Sequence, residues 1–169
     1  MKDINREAIK QGILNKIDEL SAVIDIEGLM FDIDYELGQL LYFHKNVLPK
    51  THFYHMKAIP KQGEVAYFNL TRGFPKELVG GHWCLVLKYV KGKALVVPLT
   101  SIKEDSAPVD PEFQIDIQVE GFKSMSRAQI SDIRTIDVQR CYIKKGFKRV
   151  ITNQEEIYNK IHNTLLYAG

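Results

Sequence analysis

The sequence predicts an α+β fold with a mainly β core and helices at both ends. Three patterns carry this expectation. Apolar residues recur at helical spacing over the first fifty-odd positions, short β-rich segments alternate with turns from about 57 to 150, and helical spacing returns from 152 to 167.

At 169 residues the chain has room for one domain, or for one domain with an appendage. A chain of this size buries about two-thirds of its unfolded surface and needs no covalent staple. Apolar residues make up 45% and charged residues 26%, which excludes a disordered, collagenous or disulfide-scaffold protein. Apolar stretches such as Leu85–Leu87 and Ala94–Leu99 are too short to span a bilayer. The opening MKDINREAIK mixes charges and has no apolar signal core, so a cytoplasmic location and no membrane partner are expected. Cys84 and Cys141 form no CxxC pair and read as two reduced thiols. A net charge of +2 is too small to announce a nucleic-acid binder, so the placement of the charges matters more.

Residues 1–56 read as a helical N-terminal extension. Ile4, Ala8, Ile13, Ile17 and Leu20 share one helix face, with Asp3 as the expected N-cap. A break is expected around Ser21–Gly28. A second helix then runs from Leu29 to Val47, with Leu37, Leu40, Leu41 and Phe43 as its stripe and Pro49 beyond its end. Both stripes read as packing surface.

Residues 57–169 read as the β domain with a C-terminal helix. Glu64–Leu70 alternates as a strand. Thr71–Gly81 holds three Gly and one Pro and reads as a long mobile loop. His82–Val90 and Ala94–Leu99 flank the turn Lys91-Gly92-Lys93, which predicts a hairpin with Pro98 at a strand end or sheet edge. Phe113–Val119 alternates strictly, and Ser126–Ser131 reads as a strand or a short helical turn. Several short strands between turns suggest a small twisted barrel. In 152–167, Thr152 and Glu155 have capping-box spacing, and Ile157, Ile161 and Leu165 form the inward stripe.

No metal-ligand constellation is legible: His52 and His55 make an HxxH with no further ligand at the right spacing. No cofactor is expected. Neither a phosphate-cradling Gly loop nor a GxSxG elbow is present. What remains is a set of polar residues at strand ends around a Gly-rich loop.

Three segments together resemble the PemK/MazF family, the toxins of toxin–antitoxin pairs. GEVAYFNL, the Gly-containing loop and GGHWCLVLK are similar to the family's opening strand, mobile loop and G-x-R-P strand. ALVVPLTS resembles its apolar strand ending in Thr. Gln129–Arg140 (QISDIRTIDVQR) is close to its Q-I-R-T-I-D-x-Q-R segment and is the most specific of the three. The resemblance covers about 63–140 plus the final helix. The string PLTSIK is also similar to ToxN-type endoribonucleases of RNA-antitoxin systems. The family implies an SH3-like small β-barrel, commonly a homodimer. It implies a metal-independent endoribonuclease acting on single-stranded mRNA, and a cognate antitoxin, protein or RNA.

Such cleavage uses the substrate's own 2′-OH as nucleophile. The site must accept that proton, stabilise a dianionic phosphorane and protonate the 5′-oxygen. The family places this work partly on the Arg of G-x-R-P and on the strand-end Thr. Thr100 matches the Thr, followed by Ser101. For the Arg, aligning Gly80-Gly81 puts Trp83 at its position, whereas aligning the apolar runs puts His82 there. The extra loop residue favours His82, whose imidazole suits acid–base work near neutral pH. Read alone, His82 is equally a strand-end residue bonded to backbone, and Thr100 and Ser101 are equally hairpin caps.

The expected catalytic set is therefore His82, Thr100, Ser101 and Arg127, the last as a phosphorane-stabilising cation. The expected RNA-binding set is Arg72 and Lys76 in the Gly-rich loop, with Trp83, Lys103, Arg134, Lys144 and Lys145. Arg140, Lys144, Lys145, Lys148 and Arg149 interleave with Tyr142 and Phe147, a composition suited to single-stranded RNA or to a solvated face. Arg134 also has the spacing to lock a turn by pairing with Asp137. Two other functions remain open at this point: a CcdB-like toxin of the same barrel that binds gyrase without enzymatic activity, and a catalytically inactive RNA-binding relative.

Overall fold

The computed structural model describes residues 6–23, 27–42, 58–70 and 77–167. The chain divides into two compact units, Met1–Tyr54 and His55–Gly169.

In the first unit, helix α1 spans Arg6–Val23 and helix α2 spans Glu27–Tyr42. Ser21–Val23 and Gly28 are helical, so the interruption is shorter than the residue types suggest. Among the described residues of these stripes, Ala8, Ile13, Leu20, Leu37, Leu40 and Leu41 are exposed and Ile17 is half-buried. Periodicity marks an apolar face but does not supply the surface that covers it. The expected cap Asp3, the segment 43–47 and Pro49 lie outside the described residues.

The second unit is built on a seven-stranded antiparallel sheet. Its strands are β1 (Glu64–Asn69), β2 (Gly81–Val90), β3 (Lys93–Ser101), β4 (Gln114–Ile117), β5 (Ser126–Gln129), β6 (Arg134–Asp137) and β7 (Lys148–Arg149). The order is β4-β5-β3-β2-β1-β7, with β6 also paired to β3. The sheet curls until its edges touch. Val119, just past β4, bridges to Val150, just past β7. Glu120 N–H donates to the Arg149 carbonyl at 2.9 Å and Ile151 N–H to the Gln118 carbonyl at 2.8 Å. The segment expected to be strand or turn over Ser126–Ser131 is both: β5 runs directly into a 3₁₀ turn at Ile130–Asp132.

The β2–β3 hairpin turns on Lys91 and Gly92, whose φ values of 47° and 84° give the left-handed pair that a two-residue turn between twisted strands needs. Pro98 sits inside β3 and is fully buried, not at an end or edge. β6 pairs with β3 over Lys93–Val96 and β5 over Leu99–Ser101, so Pro98 falls in the gap between the two partners. A residue without an N–H is tolerated where no neighbouring strand demands one.

The inner face of the curled sheet carries the main core: Val65, Leu85, Val97, Leu99, Ile117 and Ala128, closed by Ile157 and Ile161 of helix α3 (Gln154–Tyr167). The outer face carries a second core of Ala66, Phe68, Cys84, Val86, Ala94 and Val96, covered by Ile136 and Cys141. Two expectations for α3 are corrected. Its cap is Asn153, whose Oδ1 accepts from Glu155 N–H at 2.9 Å. Thr152 is one residue too early, and its Oγ1 instead accepts from Gln118 N–H at 2.8 Å, tying the helix entry to the end of β4. Leu165 is exposed, and Thr164 takes the inward position, donating to the Glu112 carbonyl at 2.8 Å. An Asn153→Ala variant is expected to lose about 1 kcal/mol of unfolding free energy. Urea denaturation measures this, and a midpoint equal to that of the parent protein would refute the cap.

Candidate functional site

Strand alternation separates two kinds of surface on the central strands. On β2, Leu85 and Leu87 face the inner core, while Cys84 and Val86 face the outer one. Towards the start of β2 and the end of β3 the outer face turns polar. The β2–β3 ladder ends at Trp83 opposite Leu99, and His82 and Thr100, the next residues of their strands, alternate to the other face from that pair. Thr100 in turn faces Arg127 of β5, and Arg127 faces Asp116 of β4. Gln129 and Gln114 form the next cross-strand pair. Residues directly opposite in an antiparallel ladder share a face, so His82, Thr100, Arg127, Asp116, Gln129 and Gln114 form one polar field.

His82 is half-buried, and its Nδ1 lies 3.3 Å from the Leu99 carbonyl. A carbonyl only accepts, so Nδ1 carries the proton and Nε2 of the neutral ring keeps its lone pair. The Thr100 hydroxyl receives a hydrogen bond from Gln129 Nε2 at 2.8 Å. Arg127 is buried, and three of its five guanidinium N–H groups have protein acceptors. Nε and Nη2 donate to the Asp116 carboxylate at 2.7 and 3.1 Å, and Nη1 donates to the Ala107 carbonyl at 2.6 Å. Through the Ala107 carbonyl it ties residues 104–111 to the field. The Asp116 hydrogen bond pushes the guanidinium pKa further up, so it stays charged.

The far edge of the field meets the end of the Gly-rich loop. Leu70 N–H donates to the Gly80 carbonyl at 2.7 Å and closes the loop's base. The carboxylate of Asp132 accepts from Leu78 N–H at 3.1 Å and from Arg134 Nη2 at 2.9 Å. Arg134 also reaches the Leu78 carbonyl at 3.4 Å. The expected Arg134–Asp137 pair is thus replaced by Arg134–Asp132. Residues three apart on a strand point to opposite faces. Asp137 instead accepts from Gln139 N–H at 2.8 Å, capping the turn that follows.

The other expected residues are dispersed. Ser101 is exposed and, by alternation, lies on the face opposite Thr100, paired with Ser126. Trp83 faces inward within a run of edge-to-face rings, Tyr142–Tyr67–Trp83–Phe122, with centroid separations of 5.7, 5.5 and 5.2 Å. Tyr67 passes so close to Gly81 that any Cβ there would strike its ring. Lys145 Nζ sits 3.1 Å above the Tyr67 centroid, Lys144 is exposed beside it, and Lys103 is exposed on the loop after β3. Arg72 and Lys76 lie outside the described residues.

Sequence reasoning does not single out Gln129, Gln114 or Asp116 as site residues. The alternation in Gln-Ile-Asp and Arg-Ala-Gln hints at polar faces, but only the β4–β5 register shows that the two faces meet. Both thiols are free and buried. Burial pushes the Cys84 thiol far up despite the opposing pull of Arg134, and pushes Cys141 up to about 11. Among the described residues, no three His, Cys, Asp or Glu side chains gather as a metal site, and no helix is long and apolar enough to cross a membrane.

A family model, PemK-like, MazF-like toxin of type II toxin–antitoxin system, matches residues 61–168. The chain belongs to this family. The match begins just before β1 and ends with α3, so it takes in every strand and the polar field of this PemK/MazF-family protein. No curated protein matches the chain.

Removing the Asp132 carboxylate detaches both Leu78 and Arg134. Asp132→Ala is expected to speed limited proteolysis between Leu70 and Gly80 several-fold while other cleavages keep their rates. An unchanged digestion pattern, read by mass spectrometry, would refute the anchoring role.

Proposed function

We propose that this PemK/MazF-family toxin is an endoribonuclease that cuts single-stranded mRNA through the substrate's 2′-OH. The observation that carries the reading is the position of His82 and Thr100, each the next residue along its strand beyond the Trp83–Leu99 pair, with His82 Nδ1 3.3 Å from the Leu99 carbonyl. His82 Nε2 takes the 2′-OH proton, the 2′-oxygen attacks phosphorus, and the P–O5′ bond breaks. The products are a 2′,3′-cyclic phosphate and a 5′-oxygen that acquires a proton to leave as a hydroxyl. Thr100 donates to a non-bridging oxygen as the dianionic phosphorane develops. Ser101, at the exposed strand end, contacts the adjoining phosphate.

The RNA continues past the start of β2 onto Trp83, Tyr67 and Tyr142, where Lys145 and Lys144 neutralise phosphates. Lys103 and Arg134 border the field on its other sides, and Arg72 and Lys76 come from the Gly-rich loop. This arrangement combines cations with aromatic faces, as single-strand binders do. The curled sheet serves as an SH3-like barrel, the protein works as a cytoplasmic homodimer, and a cognate protein antitoxin neutralises it.

The test is incubation of purified protein with a long RNA in EDTA, with both ends of each cut mapped. Cuts ending in cyclic phosphate and 5′-hydroxyl are expected, and His82→Ala should slow them about 10²-fold or more. Cleavage by His82→Ala at the parental rate would overturn the assignment. Affinity for a non-cleavable 2′-deoxy strand should fall as salt rises, and Lys145→Ala should flatten the log–log slope by about 0.7. A salt-independent affinity would rule out the electrostatic path.

A further inference from the structure

The hydrogen bonds behind Thr100 have a fixed direction, and it can be traced to a backbone amide. Asp110 N–H donates to Gln114 Oε1 at 2.8 Å. A backbone N–H cannot reverse, so Gln114 must present its Nε2 on the other side. That Nε2 donates to Gln129 Oε1 at 2.9 Å. Gln129 must therefore present its own Nε2 to Thr100, which it does at 2.8 Å. An amide has one accepting and one donating end, so each link dictates the next. The Asp110 end is itself held, because its carboxylate accepts from Glu112 N–H at 2.8 Å and Phe113 N–H at 3.4 Å.

The consequence falls on the Thr100 proton. Its oxygen already accepts from Gln129, so its O–H is directed elsewhere. Among the described residues its acceptor is the Arg127 carbonyl, at 3.5 Å, the outer limit of a hydrogen bond. We propose that Gln129 and Gln114 are positioning residues that lock Thr100 as a hydrogen-bond donor aimed at a phosphate oxygen. This rests on the ribonuclease reading given above. Thr100 then acts as a phosphorane-stabilising donor and takes no proton from the substrate, leaving the base role to His82.

Three variants separate polarity from packing. In Gln129→Glu the carboxylate still accepts from Gln114 but now also accepts from Thr100, capturing its proton. In Gln114→Glu the new carboxylate accepts from Asp110 and from Gln129, so the Gln129 amide turns over and presents its oxygen to Thr100. In Gln129→Leu the Thr100 hydroxyl is simply released. RNA cleavage should fall about 10²-fold in kcat for Gln129→Glu. Gln114→Glu, two links away from the hydroxyl, should follow it, and Gln129→Leu should lose only a few-fold. In a Thr100→Val background, all three should have no further effect.

Thermal melts identify any variant that fails to fold, and either Glu variant suffices alone. If Gln129→Glu lowers the rate as much with Val at position 100 as with Thr, added charge near the phosphate is responsible and the relay is overturned. If Gln129→Leu is as damaging as Gln129→Glu, the role is packing and the relay is likewise overturned. A parent protein that cuts no RNA removes the ribonuclease reading and this inference together, whereas a cutting parent with insensitive variants removes the inference alone.

Discussion

The architecture depends on β3. Along one edge it pairs with β2, and along the other it pairs first with β6 and then with β5. The changeover comes at Val97–Pro98, where no strand lies alongside. This splits the outer face into two territories. Beside β6 it is apolar and covered by Ile136 and Cys141, whereas beside β5 it is polar and carries Thr100, Arg127 and Gln129. A uniform partner strand would have continued one surface along the whole of β3.

Within the polar territory most groups are bound to one another. Arg127 and Asp116 meet in a two-point contact, and Arg127 Nη1 donates to the Ala107 carbonyl. A buried charge held this way costs little only while its partners stay in place. The guanidinium therefore behaves as a bracket for the 104–111 loop. That loop supplies the Asp110 amide that orders the two glutamines, so ion pair and amide chain support one another from opposite ends of β4.

The histidine alters the chemistry the family resemblance implies. An arginine in its place stays charged and serves only as a donor. A neutral imidazole whose Nδ1 donates to Leu99 has its lone pair on Nε2. The ribonuclease proposal divides the labour accordingly, with proton acceptance assigned to His82 and charge stabilisation to Thr100. Family membership alone would not have indicated that division.

Much of the β domain was readable from residue order because its signals are local. Alternation marks β1 and β2, Lys91-Gly92 marks the hairpin, and RTID with its flanks marks the family segment. Where local signals misled, a longer-range contact had won: Thr152 left the cap for Gln118, Arg134 took Asp132 over Asp137, and Pro98 found a gap between partner strands. The sequence by itself determined which residues alternate and therefore that His82 and Thr100 lie at strand ends. Only the tertiary structure decided that they share a face, that Ser101 and Trp83 do not, and that Gln114 and Gln129 stand behind Thr100. Alternation is written within each strand, but register between strands is settled by how the whole sheet packs around its core.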